Sequence, residues 1–155
     1  MSLYVISDLH LSTNENTGKS MEVFGPRWQN YISRLERNWR AVINDDDVVV
    51  IPGDISWAMQ LNAAVPDLET IAELPGRKIL CKGNHDYWWS TATKFQKFCA
   101  ENNFTDLHLL HNNHFEVQYL DGLCFGTLSP NNATGSNPWV SKDESTGETI
   151  FPDFL

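Results

Sequence analysis

Basic residues are scarce. Eleven Lys and Arg stand against 20 Asp and Glu, and the 155-residue chain carries a net charge of −9. That balance argues against non-specific binding to nucleic acid or to an anionic membrane surface, because both need a basic face. It leaves a small phosphorylated substrate open, since a bound metal reverses the local field. Cysteine is also sparse. Cys81, Cys99 and Cys124 are odd in number and widely spaced, which fits neither a disulfide framework nor a zinc knuckle. Buried, reduced thiols of a cytoplasmic protein are the expectation. No apolar run is long enough to span a bilayer, and no basic and then apolar leader precedes Leu3. The expected location is therefore the cytoplasm, with no membrane partner. Asn132-Ala133-Thr134 matches a glycosylation sequon, read here as chance.

What the chain does have is an alternation of apolar runs and amphipathic stretches. Leu3-Tyr4-Val5-Ile6, Val48-Val49-Val50-Ile51 and Arg77 to Lys82 read as strands, the second apolar throughout and so suited to cover on both faces. A helix is expected to open at Gly25-Pro26, with Trp28, Ile32, Leu35, Trp39 and Val42 on one face. It ends at Asn44-Asp45-Asp46-Asp47, read as a solvated turn. A second helix is expected around Pro66 to Leu74, stopped by Pro75-Gly76. A third carries Phe95, Phe98 and Cys99 inward, capped by Ser90 or Thr91. Leu11 to Phe24 is a long polar loop, either a substrate lid or disorder. Shorter strands follow at Leu107 to Leu110, Phe115 to Leu120 and Leu123 to Gly126, with a hairpin turn at Asp121-Gly122. Strand, loop and helix recur three times, which predicts α/β with parallel strands.

The strand ends carry the chemistry. Asp8-Leu9-His10 follows the first strand, Gly53-Asp54 the second, and Gly83-Asn84-His85-Asp86 the third. In an open parallel sheet these ends lie along one edge, where ligands bind. Two carboxylates, two imidazoles and an amide would then share one rim. Each motif alone is weak, because Asn, His and Asp are ordinary loop residues. Three of them, each directly after an apolar strand, form a strong signal, and a divalent cation is the economical partner for grouped carboxylates.

These motifs resemble those of the calcineurin-like metallophosphoesterase superfamily: Asp-x-His, then Gly-Asp, then Gly-Asn-His-Asp or Glu, then later histidines. The resemblance covers about residues 1–126. The wider wording, Gly53-Asp54-Ile55-Ser56-Trp57 and Asn84-His85-Asp86-Tyr87-Trp88-Trp89, is similar to a bacterial branch of phosphohydrolases. The resemblance implies a metallophosphoesterase-type β-sandwich flanked by helices, incomplete here: an N-terminal parallel βαβαβα half plus a short β-hairpin region. Residues 127–155 would form a divergent, mostly irregular tail, with Ile150, Phe151 and Phe154 as a short apolar anchor.

Carried over by position, Asp8 and His10 would bind a first metal ion, and Asp54 would bridge two ions about 3.5–4 Å apart. Asn84 would bind the second ion and contact substrate. His85 would sit beside the phosphate and stabilise or protonate the leaving oxygen, while a metal-bound hydroxide attacks. Asp54 and His85 are thus the catalytic pair, and Mn, Fe, Zn or Mg the candidate ions. Asp86 either orients His85 or caps the next helix, the cap being preferred. Trp57, Trp88 and Trp89 either wall a substrate pocket or pack the motif loops, packing being preferred.

Two departures from the family pattern shape the expectations. The protein-phosphatase branch has a further Asp three residues beyond its Gly-Asp, followed by Arg-Gly. Trp57-Ala58-Met59 stands there in this chain, which disfavours a protein phosphatase and leaves His85 without that acidic partner. The family's later His and Gly-His-x-His ligands also lack counterparts; His108, His111 and His114 read as strand and turn residues. One ion held weakly, and a second mostly lost, is the expectation. An alternative is an inactive relative that serves as a metal-binding or interaction module. Without the second sheet, an uncovered sheet face would also favour self-association.

Overall fold

The run of three valines and an isoleucine forms the strand β2 (Val48–Ile51), an interior strand of a parallel sheet. β-branched side chains suit such a position because they pack well on a pleated surface with neighbours on both sides. The computed structural model describes residues 1–14, 18–116, 124–126, 141–142 and 149–150. Its main sheet has four strands in the order β1 (Leu3–Val5), β2, β3 (Arg77–Leu80), β4 (Leu107–Leu109). Tyr4 pairs with Val49, Val50 with Ile79, and Ile79 with His108, all in parallel. Three helices make the crossovers: α1 (Tyr31–Val42), α2 (Val65–Ala72) and α3 (Ala92–Glu101). The expected α/β fold with a parallel sheet is the fold observed.

Alternation along the strands divides the core. Val49, Ile51, Leu80 and Leu107 pack with Tyr31 and Trp39 of α1, Leu68 and Ile71 of α2, and Phe95 and Cys99 of α3. The other face carries Val48, Ile79 and Leu110, with Phe115 packed against them. Phe115 belongs to a hairpin of β5 (His114–Glu116) with β6 (Cys124–Gly126). On this second face Val5 is 57% exposed, so cover by the described residues is incomplete.

Several local expectations are corrected. The first helix does not start at Pro26: two 3-10 turns, Met21–Phe24 and Pro26–Trp28, come first. Asn30, in the left-handed region at φ 52°, separates them from α1. Val42 is exposed, and Ile43 just past the helix takes the buried place. Asp47 is not part of a solvated turn. It is buried, accepts the Asn44 N–H at 2.9 Å and the Ser2 N–H, and so ties the start of β2 to the N-terminus. Lys78 of β3 is buried on the helix side, and its ammonium donates to the Leu74 and Ala72 carbonyls at 2.6 and 3.3 Å. A cation there satisfies orphan carbonyls at the C-terminal end of α2.

Thr91, not Ser90, caps α3, accepting the Lys94 N–H at 3.3 Å. The turn at Asp121-Gly122 lies outside the described residues, as do Phe151 and Phe154. In the tail, a two-residue ladder of Ser141–Lys142 with Thr149–Ile150 is described. Among the described residues, no helix is long and apolar enough to cross a membrane.

Candidate metal centre

The site grows from pairing that continues past the strand ends. The His10 N–H donates to the Asp54 carbonyl at 2.9 Å, Leu11 N–H to Ile55 O at 2.8 Å, and Trp57 N–H to Leu11 O at 3.0 Å. The loops after β1 and β2 therefore run side by side, and the two motifs they carry face each other. Gly53 and Gly83 bring the third loop in. A Cβ on Gly53 would lie 2.4 Å from the Gly83 backbone, and one on Gly83 2.2 Å from the Asp54 N. Only hydrogen fits at either position, and Gly53 also adopts φ 137°, a conformation open to Gly at little cost.

Asp86 then locks the loops. It is fully buried, and one oxygen accepts the N–H groups of Asp54 and Gly83, both at 2.8 Å. The other accepts Ile55 N–H at 2.8 Å and the Trp88 indole N–H at 3.0 Å. This corrects the expectation for Asp86: it neither caps α3 nor contacts His85 by hydrogen bonding, but cross-links the second and third motifs. Trp88 and Trp89 are buried against Phe95, which places both in packing.

Within that frame Asp8, His10 and Asp54 all sit in the left-handed backbone region, at φ 59°, 43° and 53°. Each such residue costs about 1–3 kcal/mol, and residues held this way cluster at functional sites. His10 Nε2 lies 3.9 Å from an Asp8 oxygen and 3.8 Å from an Asp54 oxygen. The same Asp54 oxygen is 2.9 Å from His85 Nδ1, and the other accepts the His85 backbone N–H at 2.9 Å. The Asn84 amide nitrogen is 3.2 Å from His85 Nδ1. Asp8 and Asn84 are exposed at the rim, whereas His10 and Asp54 are buried. All five residues named from the sequence thus come to one place. Asp54 also serves as the acidic partner that His85 was expected to lack.

Donors around one ion at about 2.1 Å stand roughly 3–4.2 Å apart. The separations of 3.8 and 3.9 Å fall in that range. One donor atom from each of His10, Asp54 and His85 lies within 4.8 Å of the others. Two carboxylates, two imidazoles and an amide are also the donor chemistry that borderline and hard divalent ions take. The residues fit a metal. Burial opposes the charge on Asp54, yet hydrogen bonds from the His85 ring and N–H, with both imidazoles nearby, prevail and hold its carboxyl below the usual range. Asp54 is therefore an anion at neutral pH.

A supporting layer lies behind these groups. The Tyr31 hydroxyl donates to the His10 carbonyl at 2.6 Å. Asp67 of α2, fully buried, accepts the Thr13 N–H at 2.7 Å and the Ser56 hydroxyl, so it joins the loops after β1 and β2 from below. The sequence signal for Asp67 is an acid set among Val65, Pro66 and Leu68 near the start of a helix; for Tyr31 there is none. His108, His111 and His114 stay apart from the donor cluster. His108 packs on Phe115 with ring centroids 4.9 Å apart, and the His111 ring neighbours Trp89.

The family model for calcineurin-like phosphoesterases matches residues 1–151. The chain belongs to that family. That family is one of metal-dependent phosphoesterases, and in this chain the cluster of His10, Asp54 and His85 is able to hold a metal ion. No curated protein matches the chain. A solved structure of a protein of unknown function from Aquifex aeolicus is 23% identical, with a TM-score of 0.48. The alignment covers 83% of this chain and 61% of that one, so the chain spans about three-fifths of that protein's length.

Proposed function

We propose that the chain is a metal-dependent phosphoesterase acting on small phosphomonoesters or phosphodiesters. The observation that carries this reading is the convergence of the His10, Asp54 and His85 donor atoms at the carboxyl edge of the parallel sheet. Asp8, His10, Asp54 and Asn84 would hold the cation, with Mn, Fe, Zn and Mg as candidates. When bound, the ion would neutralise phosphoryl charge and acidify a water molecule.

The residues of the chain supply the rest. Asp54, anionic and fixed by the His85 N–H, keeps the His85 ring in one orientation. His85 is 40% exposed, so a substrate could reach it, and its imidazole would give a proton to the leaving oxygen. The exposed amide of Asn84 beside it would orient a phosphoryl oxygen. The local carboxylates would repel a phosphate without a cation, which is why activity should depend on added metal.

The test is hydrolysis of p-nitrophenyl phosphate and bis(p-nitrophenyl) phosphate with Mn²⁺, comparing wild type with Asp54→Asn and His85→Gln. Loss of turnover in Asp54→Asn, and a drop of about 10²-fold or more in His85→Gln, supports the reading. Equal rates in all three remove the catalytic assignment.

One observation favours a second reading. The cluster draws no His from beyond His85 among the described residues. Few protein ligands would then hold a second ion, and the chain would act as a metal-binding module without turnover. Metal binding with no ester hydrolysis would select it.

A further inference from the structure

His10 is buried, and the atom of its ring that faces away from the carboxylates is an orphan: Nδ1 is buried with no hydrogen-bond partner among the described residues. A histidine that ligates a metal ordinarily donates its other ring nitrogen to a carboxylate or carbonyl, which fixes tautomer and ring plane. Among the described residues, nothing of that kind holds His10. What does lie against its ring is Trp57, stacked with centroids 4.3 Å apart and planes only 20° from parallel. Trp57 is in turn held in place. Its N–H donates to the Leu11 carbonyl, so the residue is anchored to the very loop that carries His10. The ammonium of Lys19 lies 4.9 Å from the indole centroid and closes the ring in from the chain that follows the same loop. The indole N–H, like His10 Nδ1, is buried without a hydrogen-bond partner among the described residues.

We propose that Trp57 is the positioning residue of His10. Its indole face sets the imidazole plane so that Nε2 is presented to the carboxylates of Asp8 and Asp54. Stacking here does what a hydrogen bond to the second nitrogen does in other sites. Position 57 is three residues past Asp54, so the same backbone pairing that brings the two motifs together also lays the indole on the imidazole. The idea rests on the metal-site reading above, and its test separates the two.

The experiment uses the whole chain freed of metal, as wild type, Trp57→Phe and Trp57→Leu. Mn²⁺ affinity is measured by calorimetry, stability by urea unfolding without metal, and the His10 ring protons by NMR. Trp57→Phe keeps an aromatic face and should bind Mn²⁺ within about threefold of wild type. Trp57→Leu fills space without a face and should bind about 10-fold or more weakly, the range seen when a ligand's supporting partner is removed. The His10 ring protons should be shifted upfield by the indole in wild type, and should move towards ordinary values in Trp57→Leu. Equal Mn²⁺ affinity in the Phe and Leu variants overturns the proposal, as do ordinary His10 ring shifts in folded wild type. Failure of wild type to bind Mn²⁺ sinks the metal reading instead, and the ring shifts then still decide whether Trp57 positions the ring. If Trp57→Leu does not fold, the wild-type shifts and the Phe variant decide.

Discussion

Replacing Asp86 with Asn is the sharpest perturbation of the frame, because the two side chains differ by little more than charge and one acceptor. Each carboxylate oxygen of Asp86 accepts two close N–H groups: Asp54 and Gly83 on one, Ile55 and the Trp88 indole on the other. An Asn amide has one oxygen. Whichever way it lies, its NH₂ must face two buried donors that have no other place to go. Hydrogen bonds to a charged acceptor are worth roughly 1.5–3 kcal/mol each, and a buried donor left unsatisfied loses its desolvation energy as well. Asp86→Asn should therefore destabilise the fold by about 3–5 kcal/mol. With a slope of about 2 kcal/mol per M urea, the unfolding midpoint should fall by roughly 2 M. Tryptophan fluorescence reads the transition, since Trp88 is itself one of the donors to Asp86. The exposed pair Lys97 and Glu101, 3.6 Å apart, is the control: Glu101→Gln should change stability by no more than about 0.5 kcal/mol. Asp86→Asn costing less than about 1 kcal/mol would refute the reasoning that this carboxylate ties the motifs together.

Other outcomes follow from the same contacts. Gly83→Ala places a methyl within 2.2 Å of the Asp54 backbone nitrogen, so the loops must part; stability should fall by about 1–3 kcal/mol and Mn²⁺ affinity at least tenfold, read by urea unfolding and calorimetry. Lys78→Met leaves the Leu74 and Ala72 carbonyls buried without their donor, and should cost about 2–3 kcal/mol, visible as a drop of about 5–10 °C in Tm. Burial pushes the Cys81 and Cys99 thiols up to about 11, so both are protonated at pH 8. Iodoacetamide at that pH should leave both unmodified in peptide mass spectra, and modify them in urea; ready labelling of the native chain would contradict the burial.

The strands, the parallel topology and the rim residues were legible in the sequence for one physical reason. An apolar run followed within a few residues by polar donors, with a Gly at the turn in the second and third cases, marks both where a strand ends and what its end presents. Asp8, His10, Asp54, Asn84 and His85 could be named in that way. What stayed hidden depends on partners far away in the chain. Asp86 reads locally as a helix cap, yet its acceptors meet N–H groups from residues 54 and 55. Asp47 reads as one of three solvated acids, yet it alone turns inward to the N-terminus. Lys78 reads as a polar residue on a strand, and only the position of α2 above β3 gives its ammonium a purpose. Trp57 could be assigned to packing or to the site, and the structure places it at both, against the ring of His10. The expectation of a helix from Pro26 failed because Asn30 adopts a left-handed conformation that periodicity does not reveal.

The account as a whole rests on a cation seated among the residues at the three strand ends. Anomalous diffraction from crystals soaked in Mn²⁺ tests that directly. A single strong peak bounded by His10 Nε2, the Asp54 carboxylate and Asp8, and absent in Asp54→Asn, is the predicted result. No peak at that place, or a peak only among residues remote from it, would contradict it.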